Sequence, residues 1–205
     1  MAEKQHPLAR RVEELQGELR TRDPGQLAAQ TGTAFHQEPG GEIYFQFPYW
    51  QEDIIYSVPE FLACRLQEGD PLMVLDQAMI AYYFHHSQGS PPSQGWIAFS
   101  ELPDGQFYSQ AFQGYTAQKI GSTLGSDYQS FEENCLAQGG EPVQFASLAF
   151  RFQVLPQVSV LAACWKGDED FSPSYQILFN DTASCHLPTD ACAILGSMLT
   201  GKLLR

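Results

Sequence analysis

Basic residues are scarce in this chain of 205 residues, which has 11 Lys and Arg against 24 Asp and Glu and a formal net charge of −13. Nucleic acids and anionic membrane surfaces attract proteins through clusters of Lys and Arg that replace counterions. The composition therefore disfavours both kinds of partner. Long apolar runs are also missing, since the longest, Val158 to Trp165 with Ser159 as its one interruption, falls far short of the roughly 20 residues that span a bilayer.

Cysteine is sparse and shows no paired spacing. The five cysteines form an odd set without any C-x-x-C motif, namely Cys64, Cys135, Cys164, Cys185 and Cys192. Such a set is typical of reduced thiols in a cytosol rather than of a secreted disulfide framework. The opening residues carry charge but no apolar stretch after it, so the sequence predicts neither a secretory signal nor a transit peptide. We expect a cytoplasmic protein without structural disulfides.

The common catalytic signatures are absent. The sequence contains no G-x-G-x-x-G, no G-x-x-x-x-G-K-[ST], no G-x-S-x-G and no H-E-x-x-H. These absences disfavour nucleotide binding by a phosphate loop, serine hydrolysis of the nucleophile-elbow type and zincin chemistry. With 43% hydrophobic and 13% aromatic residues the chain can still build a well-packed core. A non-catalytic protein is therefore favoured over an enzyme, and the sequence leaves any cofactor open.

An amphipathic helix is predicted at the N-terminus. Leu8, Val12, Leu15 and Leu19 recur at helical spacing, and Pro7 suits the first turn. We expect residues 1–38 to form this helix and a linker. The narrow apolar stripe suits a protein partner or a second copy of the chain, so a homodimer through this helix is one expectation.

The rest of the chain, residues 39–205, is predicted to be a single α+β domain. Clustered strands and helices, rather than strict βαβ alternation, favour a mainly antiparallel sheet packed with helices. Two strands or one bent hairpin are expected within 42–58, and further strands at 149–154, 158–165 and 175–179. Helices are expected at 70–86, with Asp70 as the N-cap of a buried central helix, at 114–124, at 126–138 with Ser126 as its cap, and from about Thr189.

Four motifs in one order give the chain a family resemblance. They are Trp96-Ile-Ala-Phe-Ser-Glu-Leu-Pro103, Ala111-Phe-Gln-Gly-Tyr-Thr116, Trp165-Lys-Gly-Asp-Glu-Asp-Phe171 and Leu187-Pro-Thr-Asp190. From about Pro39 onward the chain resembles an uncharacterised domain-of-unknown-function family of mainly anaerobic bacteria and archaea. Some members of that family are fused to an iron–sulfur domain like that of the corrinoid iron–sulfur protein. The resemblance thus implies a link to corrinoid, one-carbon or iron–sulfur metabolism, although the cluster-binding cysteine run is missing here.

The resemblance assigns no catalytic residue, and it marks two departures from the family pattern. An Asp commonly stands in that pattern where this chain has Asn180, and a Tyr where it has His186. Both departures weaken a catalytic role that depends on a carboxylate at this end of the chain.

Aromatic residues provide the leading candidate site. Many of them surround the Ser/Pro/Gly-rich loop 87–95 and the turn at 103–105, where they could line an apolar pocket with a few polar groups. The predicted ligand-binding residues are Tyr49, Trp50, Tyr83, His86, Trp96, Tyr108 and Tyr115. The leading hypothesis is an accessory protein that binds a small molecule or a protein partner through these residues. The alternative is that the aromatic residues belong to the hydrophobic core.

The acidic loop after residue 166 provides the rival hypothesis, a metal-dependent enzyme. Hard cations take several oxygen ligands, and a divalent ion there could activate water. The predicted ligands are Asp168, Glu169, Asp170, Asp181 and His186. The alternative is a hydrated acidic turn. A separate expectation concerns Asp76, because its neighbours on the predicted helix are apolar or aromatic. A carboxylate that is buried among them needs a hydrogen-bond partner.

Overall fold

A computed structural model describes residues 7–91 and 95–205, and these group into two compact units. The first unit comprises the chain up to Pro91 together with Leu155–Gln157 and Cys185–Pro188. The second comprises the remaining residues up to Arg205. Residues 92–94 of the predicted ligand loop and residues 1–6 of the predicted N-terminal segment lie outside the described residues.

The first unit is a four-stranded antiparallel sheet with three helices. Its elements are α1 (Pro7–Leu19), α2 (Pro24–Thr31), β1 (Ala34–Gln37), β2 (Ile43–Tyr49), β3 (Glu52–Val58), β4 (Ala63–Arg65) and α3 (Val74–His86). The strand order is β1-β2-β3-β4, so the hairpin predicted within 42–58 is confirmed as β2 and β3.

The core of the first unit lies between the sheet and α3. The ring of Phe84 on α3 lies with its centroid 4.9, 5.4 and 4.8 Å from those of Phe45, Phe47 and Tyr56, respectively. These three strand residues alternate along β2 and β3, as a sheet with one buried face requires. The predicted buried central helix is confirmed.

The N-terminal amphipathic helix is confirmed as α1. Val12, Leu15 and Leu19 are buried, and α1 contacts α3 within the first unit. The apolar stripe is thus packed inside this unit. The homodimer and the domain boundary at residue 38 stay predictions.

Two helices in the first unit differ from what the sequence predicts. Asp70 is not a helix cap, because Arg65 N–H donates to the Asp70 carbonyl and Leu72 N–H to that of Ala63, which holds residues 70–72 against β4. Helix α3 therefore begins later, at Val74. The other difference is α2, which was expected to be linker: Asp23 caps it by accepting the Gln26 N–H at 2.8 Å.

The second unit is a five-stranded antiparallel sheet with four helices. Its elements are β5 (Trp96–Ala98), a 3-10 turn (Phe99–Glu101), α4 (Gly105–Tyr115), α5 (Ala117–Leu124), α6 (Tyr128–Ala137), β6 (Glu141–Pro142), β7 (Leu148–Leu155), β8 (Val158–Trp165), β9 (Ser174–Asn180) and α7 (Thr189–Leu203). The strand order is β5-β9-β8-β7-β6. The predicted interior strand β8 is confirmed at the centre, buried on both faces.

Both faces of this second sheet carry a core. On one face Phe131 of α6 packs against Phe150 and Tyr175, with ring centroids 6.0 and 5.2 Å away. On the other face a buried cluster includes Leu161 and Leu178. Together with the antiparallel sheets and α1, these cores confirm the α+β class.

Two details of the helices in this unit were predicted wrongly. Helix α4 was not expected, although Tyr108, Ala111, Phe112 and Tyr115 recur at helical spacing, and of these four only Phe112 is buried. Helix α6 is capped by Asp127, which accepts the Ser130 N–H, and not by Ser126. Within the described part of the chain, no helix is both long enough and apolar enough to cross a membrane.

Candidate functional site

A cavity of about 300 Å³ in the second unit is the best-formed candidate site. It is partly open to solvent and is bordered by the end of β5, the following 3-10 turn, α4, α5 and β9. The lining residues are Ala98, Phe99, Ser100, Ser109, Phe112, Gln113, Thr116, Ala117, Gln118, Gly121, Pro173, Ser174, Tyr175, Gln176, Ile177 and Leu178. Its volume is at the lower end of the range for ligand pockets, which suits a small ligand.

Two stacked phenyl rings form the apolar part of the cavity. The centroids of Phe99 and Phe112 are 4.2 Å apart and their planes differ by 9°. Both are 3% exposed or less. Helix α7 packs closely against Phe112. Gly196 allows this approach because it has no side chain, and a Cβ built there would lie 2.6 Å from the Phe112 Cε2 atom. The packing of α7 therefore fixes the position of a cavity wall.

The polar part of the cavity comes from the junction of α4 and α5 and from β9. The Thr116 hydroxyl donates to the Phe112 carbonyl at 2.5 Å, which joins the two helices. The Tyr175 hydroxyl donates to the Gly125 carbonyl at 2.8 Å, and burial raises the pKa of this phenol. A neutral Tyr175 is thus a fixed part of the wall, while Gln113 and Gln118 contribute further amide groups.

The wall formed by β9 is the edge of the strand. Six consecutive residues, Pro173 to Leu178, line the cavity. Side chains of a strand alternate between its two faces, so a cavity above one face would be lined by every second residue. A lining of consecutive residues means that the cavity runs along the strand edge, where the main chain itself is a wall.

The cavity is electrically neutral in its side chains. None of its sixteen lining residues is Asp, Glu, Lys, Arg or His, although the whole chain carries 24 Asp and Glu. A buried ion needs a counter-charge or dense hydrogen bonding to offset the loss of its hydration. The arrangement therefore suits an uncharged ligand that makes hydrogen bonds.

The predicted aromatic residues are divided between the two units, and none of the seven lines this cavity. In the first unit, Tyr49 and Tyr83 are buried in the core. The Tyr49 hydroxyl donates to Asp76 at 2.8 Å, which provides the partner that this carboxylate was expected to need. The Tyr83 hydroxyl donates to the Thr31 carbonyl at 2.5 Å.

The other two predicted residues of the first unit are half-buried. Trp50 lies in the β2–β3 turn with a φ of 47°, and its ring centroid is 6.4 Å from that of Tyr49. His86 lies at the end of α3, with its ring centroid 6.2 Å from that of Tyr82. The structure thus brings Tyr49 and Trp50 together.

In the second unit, Trp96 packs against the buried cluster that contains Leu178. Tyr108 is 66% exposed on α4. Tyr115 is 39% exposed, and its ring meets Phe112 edge-on at a centroid distance of 5.7 Å. Tyr115 therefore contacts the cavity wall directly, and Trp96 packs against a cluster that includes the lining residue Leu178.

The predicted metal ligands are not gathered into one cluster. Asp168, Glu169 and Asp170 lie in the loop before β9, whereas Asp181 follows the other end of that strand. Seven residues of strand separate them by about 20 Å. The Asp168 carboxylate accepts the main-chain N–H groups of Asp170 and Phe171, both at 2.9 Å, so it organises the turn.

The fifth predicted ligand, His186, is fully buried in the first unit. Its Nε2 lies 2.8 Å from the Ser90 carbonyl and therefore donates, which leaves Nδ1 to accept from the Ser87 hydroxyl at 3.1 Å. Burial lowers the pKa of this imidazole. Both ring nitrogens are occupied, and across 7–91 and 95–205 no three His, Cys, Asp or Glu side chains are placed to hold a metal ion.

Sequence reasoning missed the cavity residues as site residues. A signal for them was nevertheless present, because two of the four resemblance motifs supply much of the lining. The motif Trp96–Pro103 contributes Phe99, and the motif Ala111–Thr116 contributes Phe112 and Gln113. The strand-edge residues carried no comparable signal.

Comparison with known proteins supplies a family without a function. The family described as a domain of unknown function (DUF3786) matches residues 23–202, so the chain belongs to that family. The match begins ahead of Pro39, where the resemblance was expected to start, and so includes α2 and β1. No curated protein and no solved structure matches the chain.

Proposed function

We propose that this member of the DUF3786 family is a non-catalytic binding protein that takes a small uncharged ligand into the cavity of the second unit. The observation that carries the proposal is the cavity itself: about 300 Å³, partly open and bordered by α4, α5 and β9, with a stacked aromatic pair and hydrogen-bonding groups in its lining. Pockets with this combination bind small molecules, because apolar surface provides affinity and a few polar groups provide orientation.

The neutrality of the lining supports an uncharged ligand. An anion would enter a chain of net charge −13 without meeting any Lys or Arg in the cavity. A cation would leave its hydration shell without finding a carboxylate there. An uncharged ligand avoids both costs, and its hydrogen-bonding groups can pair with amides, hydroxyls and main chain.

The chemistry of the lining supports binding rather than catalysis. Ser100, Ser109 and Thr116 bring hydroxyl groups, but an alcohol needs an adjacent base to become a nucleophile. The lining contains no His, Lys, Cys or carboxylate that could take the proton. The Thr116 hydroxyl is already committed to the Phe112 carbonyl.

The family resemblance suggests a metabolic setting for the ligand. We place the protein in the cytoplasm of an anaerobe, as an accessory to corrinoid, one-carbon or iron–sulfur metabolism. A cavity of about 300 Å³ suits a small substrate or intermediate of such metabolism and is too small for a corrinoid macrocycle. Native mass spectrometry of protein purified without oxygen from its own host tests this setting, since a retained small molecule is expected and a retained corrinoid would contradict the assignment to this cavity.

A cavity-filling variant tests the site. Ala117 lines the cavity, so Ala117→Leu places three additional carbon atoms in it, whereas Ala111→Leu makes the same change on the exposed side of α4. We expect uncharged fragments from a screening library to shift backbone NMR signals of Phe112 and Gln113 in the wild type and in Ala111→Leu, but not in Ala117→Leu. Fragments that bind all three proteins equally, or none that bind the wild type, would refute the proposal.

A further inference from the structure

The direction of the main-chain groups along β9 can be read from a hydrogen bond just beyond its end. Trp96 pairs with Asn180, so Gly95 stands opposite Asp181, and the Asp181 N–H donates to the Gly95 carbonyl at 3.1 Å. In an antiparallel pair the residues that exchange hydrogen bonds alternate. Counting back from Asp181, Phe179, Ile177 and Tyr175 direct their N–H and C=O groups to the β5 side.

A second hydrogen bond, made just beyond the end of the neighbouring strand β8, gives the same direction for the main-chain groups of β9. The Lys166 N–H donates to the Ser147 hydroxyl at 3.1 Å, which turns Lys166 towards β7. Its neighbour Trp165 therefore turns towards β9, where it is paired with Ser174. Ser174, Gln176 and Leu178 thus bond to β8, which again leaves Tyr175 and Ile177 pointing the other way.

Strand β5 reaches only Ile177 of these two residues, and only in part, because its last pair, Ala98 with Leu178, brings the Phe99 N–H opposite the Ile177 carbonyl and leaves Tyr175 beyond its end. It ends at Ala98, opposite Leu178, and the chain then turns away as the 3-10 turn from Phe99. Among the described residues no other strand lies beside Ser174–Ile177 on this side. The cavity runs along this edge of β9, because consecutive residues of the strand line it. The main-chain groups of Tyr175 and the Ile177 N–H group therefore face the cavity.

From this geometry we infer that the ligand of the proposed site is a short extended peptide segment with uncharged side chains, which pairs with the β9 edge as an additional strand. This inference rests on the proposed function and specifies its ligand class. Tyr175 presents an N–H and a C=O group and Ile177 an N–H group, about 7 Å apart along the strand, which is the repeat of every second residue in an extended chain. A peptide main chain offers the matching donors and acceptors at the same repeat.

The walls of the cavity agree with a peptide of this kind. The unpaired edge from Ser174 to Ile177 is about 13 Å long, enough for about four extended residues. Alternate side chains of an added strand would meet the Phe99–Phe112 pair and the polar residues of α4 and α5. Because these helices shelter the edge, pairing is restricted to a segment that fits between them, which is how exposed edges are kept from unselective association.

Backbone N-methylation of the peptide provides a direct test. The probe is a pooled library of N-acetylated, C-amidated tetrapeptides of uncharged β-branched and polar residues, and its control is the same library with N-methylated backbone amides. We expect the first library to slow amide hydrogen exchange at Tyr175 and Ile177 by tenfold or more, and the control library to have no effect. Ala117→Leu should abolish the effect, and Ala111→Leu should retain it.

The outcomes separate this inference from the proposed function. If neither peptide library binds, but small uncharged fragments still shift the signals of Phe112 and Gln113, the peptide inference fails and the proposed function stands. If both libraries bind equally, or binding leaves exchange at Tyr175 and Ile177 unchanged, strand pairing is refuted. If neither peptides nor fragments bind, both proposals fail.

Discussion

Helix α7 contains two glycines that allow the packing behind the cavity wall to be measured. A Cβ at Gly196 would lie 2.6 and 2.7 Å from the Phe112 ring, whereas a Cβ at Gly201 would meet nothing within 4 Å. Replacing a helix-interior glycine with alanine gains up to about 1 kcal/mol in helix propensity. Gly201→Ala keeps that gain, but Gly196→Ala also overpacks a core contact, which costs about 1–3 kcal/mol. We therefore expect Gly196→Ala to be less stable than Gly201→Ala by about 1–3 kcal/mol.

Urea unfolding of the two variants measures this difference, and a second substitution assigns its cause. Phe112→Leu removes the ring atoms that the new methyl group would meet. In that background Gly196→Ala should become as favourable as Gly201→Ala, which gives a coupling energy of about 1–3 kcal/mol between positions 112 and 196. Equal stability of the two single variants, or a penalty that persists with Phe112→Leu, would refute the packing described for this wall.

Three further predictions concern the first unit. Gln77 is buried, accepts the Ala63 N–H at 2.9 Å and donates to the Ala63 carbonyl at 2.7 Å. Gln77→Met leaves that N–H unpaired, so it should lower the free energy of unfolding in urea by about 2–4 kcal/mol. A loss below about 0.5 kcal/mol would contradict this role. Because burial lowers the pKa of His186 below its usual 6.5, the unfolded chain binds the proton first, so stability should fall as the pH drops below about 6.5, and His186→Gln should fall less over the same range. Leu15 is fully buried, so Leu15→Ala should lower the free energy of unfolding by about 2–5 kcal/mol, and a change near zero would show that α1 is dispensable.

The elements that could be predicted from the sequence are those with a strong hydrophobic pattern. The alternation around Phe45 and the continuous apolar run of β8 both led to correct strands, since burial on one face or on two leaves a direct trace in the residue types. Helix α4 was missed although Tyr108, Phe112 and Tyr115 recur at helical spacing, and most of its aromatic residues are exposed rather than buried. Its Phe107 is 82% exposed and its N-terminal Gly105 is buried, the reverse of what hydrophobicity suggests.

The candidate site was hidden for a different reason. Its most informative wall is the main chain of β9, and main-chain hydrogen-bonding groups are the same whatever the residue type. The predicted metal ligands Asp170 and Asp181 lie apart because the eleven-residue separation between them contains the whole extended strand β9, which carries the two carboxylates to its opposite ends.

Asn180 joins strands β9 and β8 through its side-chain amide. Its Oδ1 accepts the Ser159 N–H at 2.8 Å, and its Nδ2 donates to the Thr182 hydroxyl at 2.8 Å. An Asp at this position would keep the first bond, and would keep the second if Thr182 rotated its hydroxyl to donate, since a hydroxyl can act in either direction. Either residue therefore ties the end of β9 to the start of β8, which fixes the register from which Tyr175 and Ile177 face the cavity.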